Sequence, residues 1–141
     1  MQYADDLLRR ILTSVGTVAI IGASAKADRA AHYVPVFMTR HGYRCIPVNP
    51  GLEGQTLFGE TVYSSLEQVP EPVDMVYIFR RSEDVGPFVD QAITKRAKVV
   101  WMPLGVTDDD AAARAEAAGL DVIMDRCTKI EIPRLGIPPR G

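Results

Sequence analysis

Apolar residues gather in five short runs, at positions 17–21, 43–48, 73–79, 98–102 and 120–124. Each is too short for a typical helix and rich in Val and Ile, which predicts a strand. The run at 73–79 (Val-Asp-Met-Val-Tyr-Ile-Phe) is apolar almost throughout, as a strand covered on both faces must be. Between the runs, apolar residues recur at helical spacing. Residues 4–14 put Leu7, Leu8, Ile11 and Leu12 on one face, with Asp5 and Asp6 at the end where the helix dipole favours acids; this helix is expected to pack on a sheet edge. A second helix is predicted over 31–41, closed by Gly42. Its Pro35 is harmless in a first turn and kinks the helix elsewhere. Helices are also predicted at 82–95, with Ser82 as N-cap and Glu83 and Asp84 in the first turn, and at 108–118, with three acids at its start and Gly119 at its end. Residues 65–69 read as a short helical piece before Pro70, and 128–132 as a final turn or short helix. Asn49-Pro50-Gly51 is a turn signal, and 52–63 is the least regular stretch.

Strands alternating with helical spans predict an α/β fold: a doubly wound parallel five-stranded sheet with helices on both faces. Ligands in such folds sit beyond the C-terminal strand ends, where the strand order reverses. Residues 1–141 read as one domain without repeat or linker, closed by a Pro-rich tail at 133–141.

Composition narrows the partners. The chain is 47% hydrophobic and 24% charged, with net charge -2, so it lacks the basic balance of a nucleic-acid binder. No apolar segment is long enough to span a membrane, and the N-terminus has no export signal. A cytoplasmic protein is expected, with Cys45 and Cys127 both reduced.

The chemistry concentrates after the first strand. Val18-Ala-Ile-Ile-Gly-Ala-Ser-Ala-Lys26 runs from a strand through Gly22 and small residues toward a helix. Such a turn lets a phosphate approach free N–H groups at a helix N-terminus. The dinucleotide fingerprint G-x-G-x-x-G is met only at Gly22, since Ser24 and Ala27 hold the other positions, and Asn49 stands where a ribose-binding acid is wanted. Lys26 and Arg29 in this loop, and Arg80 and Arg81 after the third strand, are candidate phosphate ligands, one of the latter two serving only as a surface or salt-bridge residue. Asp108, Asp109 and Asp110 repel an anion from the fourth helix, which leaves the helix after the first strand as the anion site.

No catalytic set or metal-ligand spacing emerges. His32 is placed either to touch a phosphate or simply as a partly exposed helix residue. His41 reads as a cation at a helix end. Cys127, beside Arg126 at the ligand edge, is a candidate redox thiol, whereas Cys45 and Trp101 read as core.

Five blocks in order resemble one family: Val18-Ala-Ile-Ile-Gly-Ala-Ser24, Gly42-Tyr-Arg-Cys-Ile-Pro-Val-Asn-Pro50, Val73-Asp-Met-Val-Tyr-Ile-Phe-Arg-Arg81, Lys98-Val-Val-Trp-Met-Pro-Leu-Gly-Val106 and Ala118-Gly-Leu-Asp-Val-Ile-Met-Asp-Arg-Cys127. They are similar to the small single-domain coenzyme A-binding proteins and to the CoA-binding domain of the succinyl-CoA synthetase α subunit. The resemblance implies a Rossmann-like fold holding CoA or an acyl-CoA. Gly22, Ala23, Ser24 and Lys26, with Arg29 nearby, would hold the phosphates. Val48, Asn49 and Pro50 would line the nucleotide. Phe79, Arg80, Met102, Pro103 and Gly105 would border the adenine and pantetheine path. Pro103 stands where many relatives carry glutamine, so that loop loses a polar contact. The synthetase's phosphohistidine domain has no counterpart here. The expected role is a CoA sensor, carrier or accessory module, as a homodimer or beside a partner enzyme. The alternatives are an NAD(P)-binding oxidoreductase-type domain and an interaction module with a vestigial cleft.

Overall fold

The computed structural model describes residues 2–140. Its elements are α1 (Asp5–Ser14), β1 (Thr17–Ile21), α2 (Ala30–Arg40), β2 (Arg44–Val48), β3 (Thr56–Leu57), β4 (Glu60–Thr61), β5 (Met75–Ile78), α3 (Val85–Lys95), β6 (Val99–Trp101), α4 (Asp109–Ala117), β7 (Asp121–Ile123) and α5 (Thr128–Arg134). Five strands form one parallel sheet in the order β2-β1-β5-β6-β7, the doubly wound α/β arrangement expected.

The pleat sends alternate residues to opposite faces, and each face has its own core. Ala19, Ile21, Val76, Ile78, Val100 and Val122 pack with α3 and α4. Val18, Ile20, Met75, Tyr77, Trp101 and Ile123 pack with α1, α2 and α5. Leu8, Ile11 and Leu12 bury α1 in this second core, so α1 covers a sheet face and not an edge. Trp101 is fully buried, and its indole N–H donates to the Arg126 carbonyl at 2.9 Å.

Three further expectations change. Residues 65–69 are successive turns and not a helix: Gln68 N–H and Val69 N–H each bond three residues back, and Pro70 stops further winding. Ser82 does not cap α3. It starts a 3₁₀ turn, Ser82–Asp84, and its Oγ accepts from Thr107 N–H at 3.0 Å, joining two loops. The irregular stretch contains the β3–β4 hairpin, whose two-residue turn has positive φ at both Phe58 and Gly59. That is a primed turn, usually signalled by Asn-Gly or Asp-Gly; Phe-Gly concealed it.

The Pro-rich tail is packed. α5 continues through Pro133, Ile137 is buried, and His41 Nε2 donates to the Ile137 carbonyl at 2.8 Å. His41 therefore holds the tail in place. The Arg140 guanidinium lies 4.4 Å from the Tyr43 ring centroid and donates to the carbonyls of Leu12 and Val15.

Asp74 ties β5 to the start of β1: its Oδ2 accepts from Gly16 N–H at 2.9 Å and Thr17 N–H at 3.1 Å, with Lys98 at 3.5 Å. Burial pushes its carboxyl up, but the Thr17 and Gly16 N–H groups and Lys98 outweigh that and hold it below the ordinary value of 3.8. A depressed carboxyl stabilises the fold above its unfolded pKa and loses that contribution as pH falls through its folded pKa. Asp74→Asn should cost about 1 kcal/mol at neutral pH. In urea melts the gap to wild type should close below pH 3.8; a gap independent of pH would contradict this account.

Candidate functional site

The strand order reverses at β1, which has β2 on one side and β5 on the other. Beyond the C-terminal ends of β1 and β5 the chain turns away in opposite directions and leaves a crevice. Gly22 leaves β1 with φ of 80°, and a Cβ there would lie 2.5 Å from the Phe79 carbonyl oxygen. Glycine is required here twice over, for the backbone angle and for the close approach of the loop after β5. The Phe79 ring stacks on Tyr77, with centroids 4.3 Å apart. Tyr77 is itself buried, and its hydroxyl accepts from Thr128 N–H.

Around Phe79 lie three adjoining lobes of one cleft, of about 480, 420 and 660 Å³. The first is walled by the loop after β1: Gly22, Ala23, Ser24, Lys26 and Arg29. The second runs between Val48, Asn49 and Pro50 and the residues Ser64, Ser65, Phe88 and Gln91. The third opens between the start of α2, the Arg80–Asp84 stretch and the loop at Pro103–Val106. Phe79 lines all three, and Arg80 lines two.

Most of the residues singled out in the sequence thus meet in one cleft. Met102 does not reach it: its side chain is fully buried in the core under α3 and α4, and its N–H donates to the Ile123 carbonyl. That loop reaches the cleft through Pro103, Leu104, Gly105 and Val106, with Gly105 N–H fixed to Asp125 Oδ1 at 2.7 Å. Ala23 and Val48 are nearly fully buried and present little more than backbone and one apolar edge. Ser64, Ser65, Phe88 and Gln91 were not anticipated. They carry no local signal; only the topology brings them to the cleft.

The loop after β1 is more engaged than its sequence implies. Gly22 N–H donates to the Val48 carbonyl at 2.9 Å, Ser24 N–H to the Ala31 carbonyl at 3.3 Å, and Lys26 N–H to Ser24 Oγ at 3.1 Å. These donors are occupied within the fold. At the start of α2, Arg29 N–H donates to the Lys26 carbonyl at 3.1 Å and His32 N–H to the Arg29 carbonyl at 2.9 Å, which leaves the N–H groups of Ala30 and Ala31 at the helix mouth; the N-cap Arg29 makes no side-chain cap bond, and the first turn holds no acid. α4 is the opposite: Asp108 Oδ1 accepts from Ala111 N–H at 3.0 Å, and Asp109 and Asp110 occupy its first turn. Asn49 Nδ2 donates to the Ala23 carbonyl at 2.8 Å while its Oδ1 accepts from Gly51 N–H at 2.9 Å. Its single side-chain oxygen is already in use, so it cannot give a ribose diol the two-oxygen grip of a carboxylate.

The cations differ in commitment. Arg81 pairs with Asp84 at 3.2 Å and Glu83 at 3.4 Å, the salt-bridge half of the Arg80–Arg81 pair. Arg80 lies 5.3 Å from the Phe88 ring centroid, with Asp84 at 3.9 Å. Lys26 and Arg29 are exposed and make no ion pair among the described residues.

His32 lines none of the three lobes; its Nδ1 lies 2.7 Å from the Ser24 carbonyl oxygen. Cys127 also lies outside the lining, and Arg126 beside it sits over the Tyr3 ring and donates to the Asp125 carbonyl. Cys45 is buried in β2, where burial pushes its thiol up to about 12. Among the described residues no group of His, Cys, Asp and Glu is arranged to hold a metal, and no helix is long and apolar enough to cross a membrane.

The family of the CoA binding domain matches residues 16–133. The chain belongs to this CoA-binding domain family. The match runs from the start of β1 into α5, so it includes all three lobes. Uncharacterized protein YneT of Bacillus subtilis (strain 168) is 33% identical over 123 residues, 87% of this chain and 90% of that protein. The solved structure of cell-free ID.343 from Thermus thermophilus is similar with a TM-score of 0.90 at 35% identity, over 94% of this chain and 99% of that one. A hypothetical protein from Pyrococcus horikoshii OT3 gives 0.89 at 35% identity, over 94% and 92%. A dinucleotide forming acetyl-coenzyme A synthetase of Ca. Korarchaeum cryptofilum, in complex with phosphate and ADP, shares the fold with a TM-score of 0.65 at 21% identity, over 84% of this chain and 27% of its own.

Proposed function

We propose that this CoA-binding domain holds coenzyme A or an acyl-CoA in the cleft around Phe79 and acts as a cytoplasmic sensor, carrier or accessory module without chemistry of its own. The observation that carries the reading is the position of Lys26 and Arg29. Neither forms an ion pair among the described residues, both wall one lobe, and both sit beside the N-terminus of α2 at the point where the strand order reverses. An elongated ligand with several phosphates matches that end of the cleft. The lobes beyond it, lined by Pro50, Phe79, Phe88 and Leu104, offer apolar surface to the less charged remainder of such a ligand. By this reading residues 22–24, Lys26 and Arg29 face phosphates, Val48, Asn49 and Pro50 the nucleoside, and Arg80, Pro103 and Gly105 the rest.

Calorimetric titration tests it, with CoA, NADH and ADP compared at low and moderate salt. CoA should bind at least tenfold more tightly than NADH, and its affinity should fall as salt rises. Equal or tighter NADH binding would replace the reading with a dinucleotide one, and no binding by any of the three would remove it.

A further inference from the structure

The loop that walls the first lobe is held by α2, and the hold depends on a proline inside a helix. Pro35 is the sixth residue of α2 and is buried. In an uninterrupted helix the N–H of residue 35 would donate to the carbonyl of Ala31. Proline has no N–H and crowds that carbonyl. The Ala31 carbonyl accepts instead from Ser24 N–H, at 3.3 Å. One residue further along α2, His32 Nδ1 lies 2.7 Å from the Ser24 carbonyl oxygen. A carbonyl only accepts, so Nδ1 carries the proton. The first turn of α2 thus grips both backbone groups of Ser24.

Ser24 lines the cleft beside Lys26 and Arg29, whereas His32 and Pro35 line none of its lobes. Gly22, Ala23 and Ala25 have no long side chains to anchor this segment. A loop of such small residues loses more freedom when a ligand fixes it, unless the fold has fixed it beforehand.

We infer that Pro35 and His32 are positioning residues that clasp Ser24 from α2 and pre-form the loop for a phosphate-bearing ligand; the ligand half of this rests on the CoA reading above. Pro35 leaves a carbonyl open for Ser24 N–H, and His32 supplies the donor for Ser24 C=O. The helix gives up one internal hydrogen bond so that the loop has one.

The test uses calorimetric CoA titration, thermal melts, and amide hydrogen exchange at Ser24 in the free chain. Pro35→Ala restores an N–H that competes for the Ala31 carbonyl. It should melt at or above the wild-type temperature, bind CoA at least fivefold more weakly, and exchange the Ser24 amide at least fivefold faster. His32→Asn keeps a side-chain donor close to the position of Nδ1 and should bind within twofold of wild type, whereas His32→Leu should lose at least fivefold. Pro35→Ala and His32→Leu both within twofold of wild type would overturn the clasp. His32→Asn as weak as His32→Leu would mean that Nε2 touches the ligand, and would overturn a role through Ser24. If the wild-type chain binds no CoA, the reading of the cleft fails, and exchange at Ser24 decides the clasp alone: a rate unchanged in both Pro35→Ala and His32→Leu overturns it.

Discussion

Gly22→Val is expected to destabilise the chain by about 3 kcal/mol, combining about 1–2 kcal/mol for a side chain at a left-handed backbone angle with about 1–3 kcal/mol for overpacking, and to abolish CoA binding. The obstacle is backbone: the new Cβ would stand 2.5 Å from the Phe79 carbonyl oxygen and 3.4 Å from its carbon. Phe79 cannot give way, because its N–H donates to the Ile21 carbonyl at 2.9 Å and its ring stacks on buried Tyr77. Relief has to open β1 from β5, where three lobes of the cleft meet. Gly42 is the control. It has a φ of 99°, and its Cβ would also meet an atom at 2.5 Å, but that atom is Arg140 Cβ in the C-terminal tail. Gly42→Val should displace the tail and leave the cleft intact. Urea melts and CoA titration of both variants decide the matter: Gly22→Val that binds CoA as wild type does would refute the role given to this contact.

The same comparison shows what the sequence can and cannot announce. Gly22 was legible because a glycine after an apolar run and before a helix has few other uses. The parallel sheet was legible because strands buried on both faces leave unbroken runs such as 73–79. Lys26, Arg29 and Arg80 were legible as cations near strand ends. Their commitments were not, since Arg81 and Arg80 differ only in how they meet Asp84, Glu83 and Phe88. Ser64, Ser65 and Gln91 reach the cleft because β2 and β5 lie on either side of β1, a long-range fact that no local window contains. Met102 was misplaced for a related reason. It ends an apolar run at the correct sheet edge, but the pleat turns it into the core with Val100, and one residue further the chain faces the cleft. His32 and Pro35 appeared as a histidine of uncertain use and a helix irregularity. Their meaning lies in Ser24, which is distant from Pro35 in sequence and bonded to the carbonyl that Pro35 leaves open.

Reversing both loop cations, Lys26→Glu with Arg29→Glu, should weaken CoA binding about a hundredfold, the loss of about two charge-assisted contacts to phosphate. Neither residue supports the fold through an ion pair among the described residues, so the melting temperature should hardly change. Loss of binding at constant stability separates this variant from Gly22→Val, in which both fall. The salt dependence of the residual affinity should also flatten, because the attraction that salt screens has been removed. Lys129→Glu controls for net charge: it is exposed on α5 and lines none of the three lobes, so it should leave affinity within twofold. If the double reversal leaves CoA affinity unchanged, the phosphates do not lie against the loop after β1. They would then have to meet Arg80 in the third lobe, where Asp84 already offsets part of its charge, and the ligand would run through the cleft in the opposite sense.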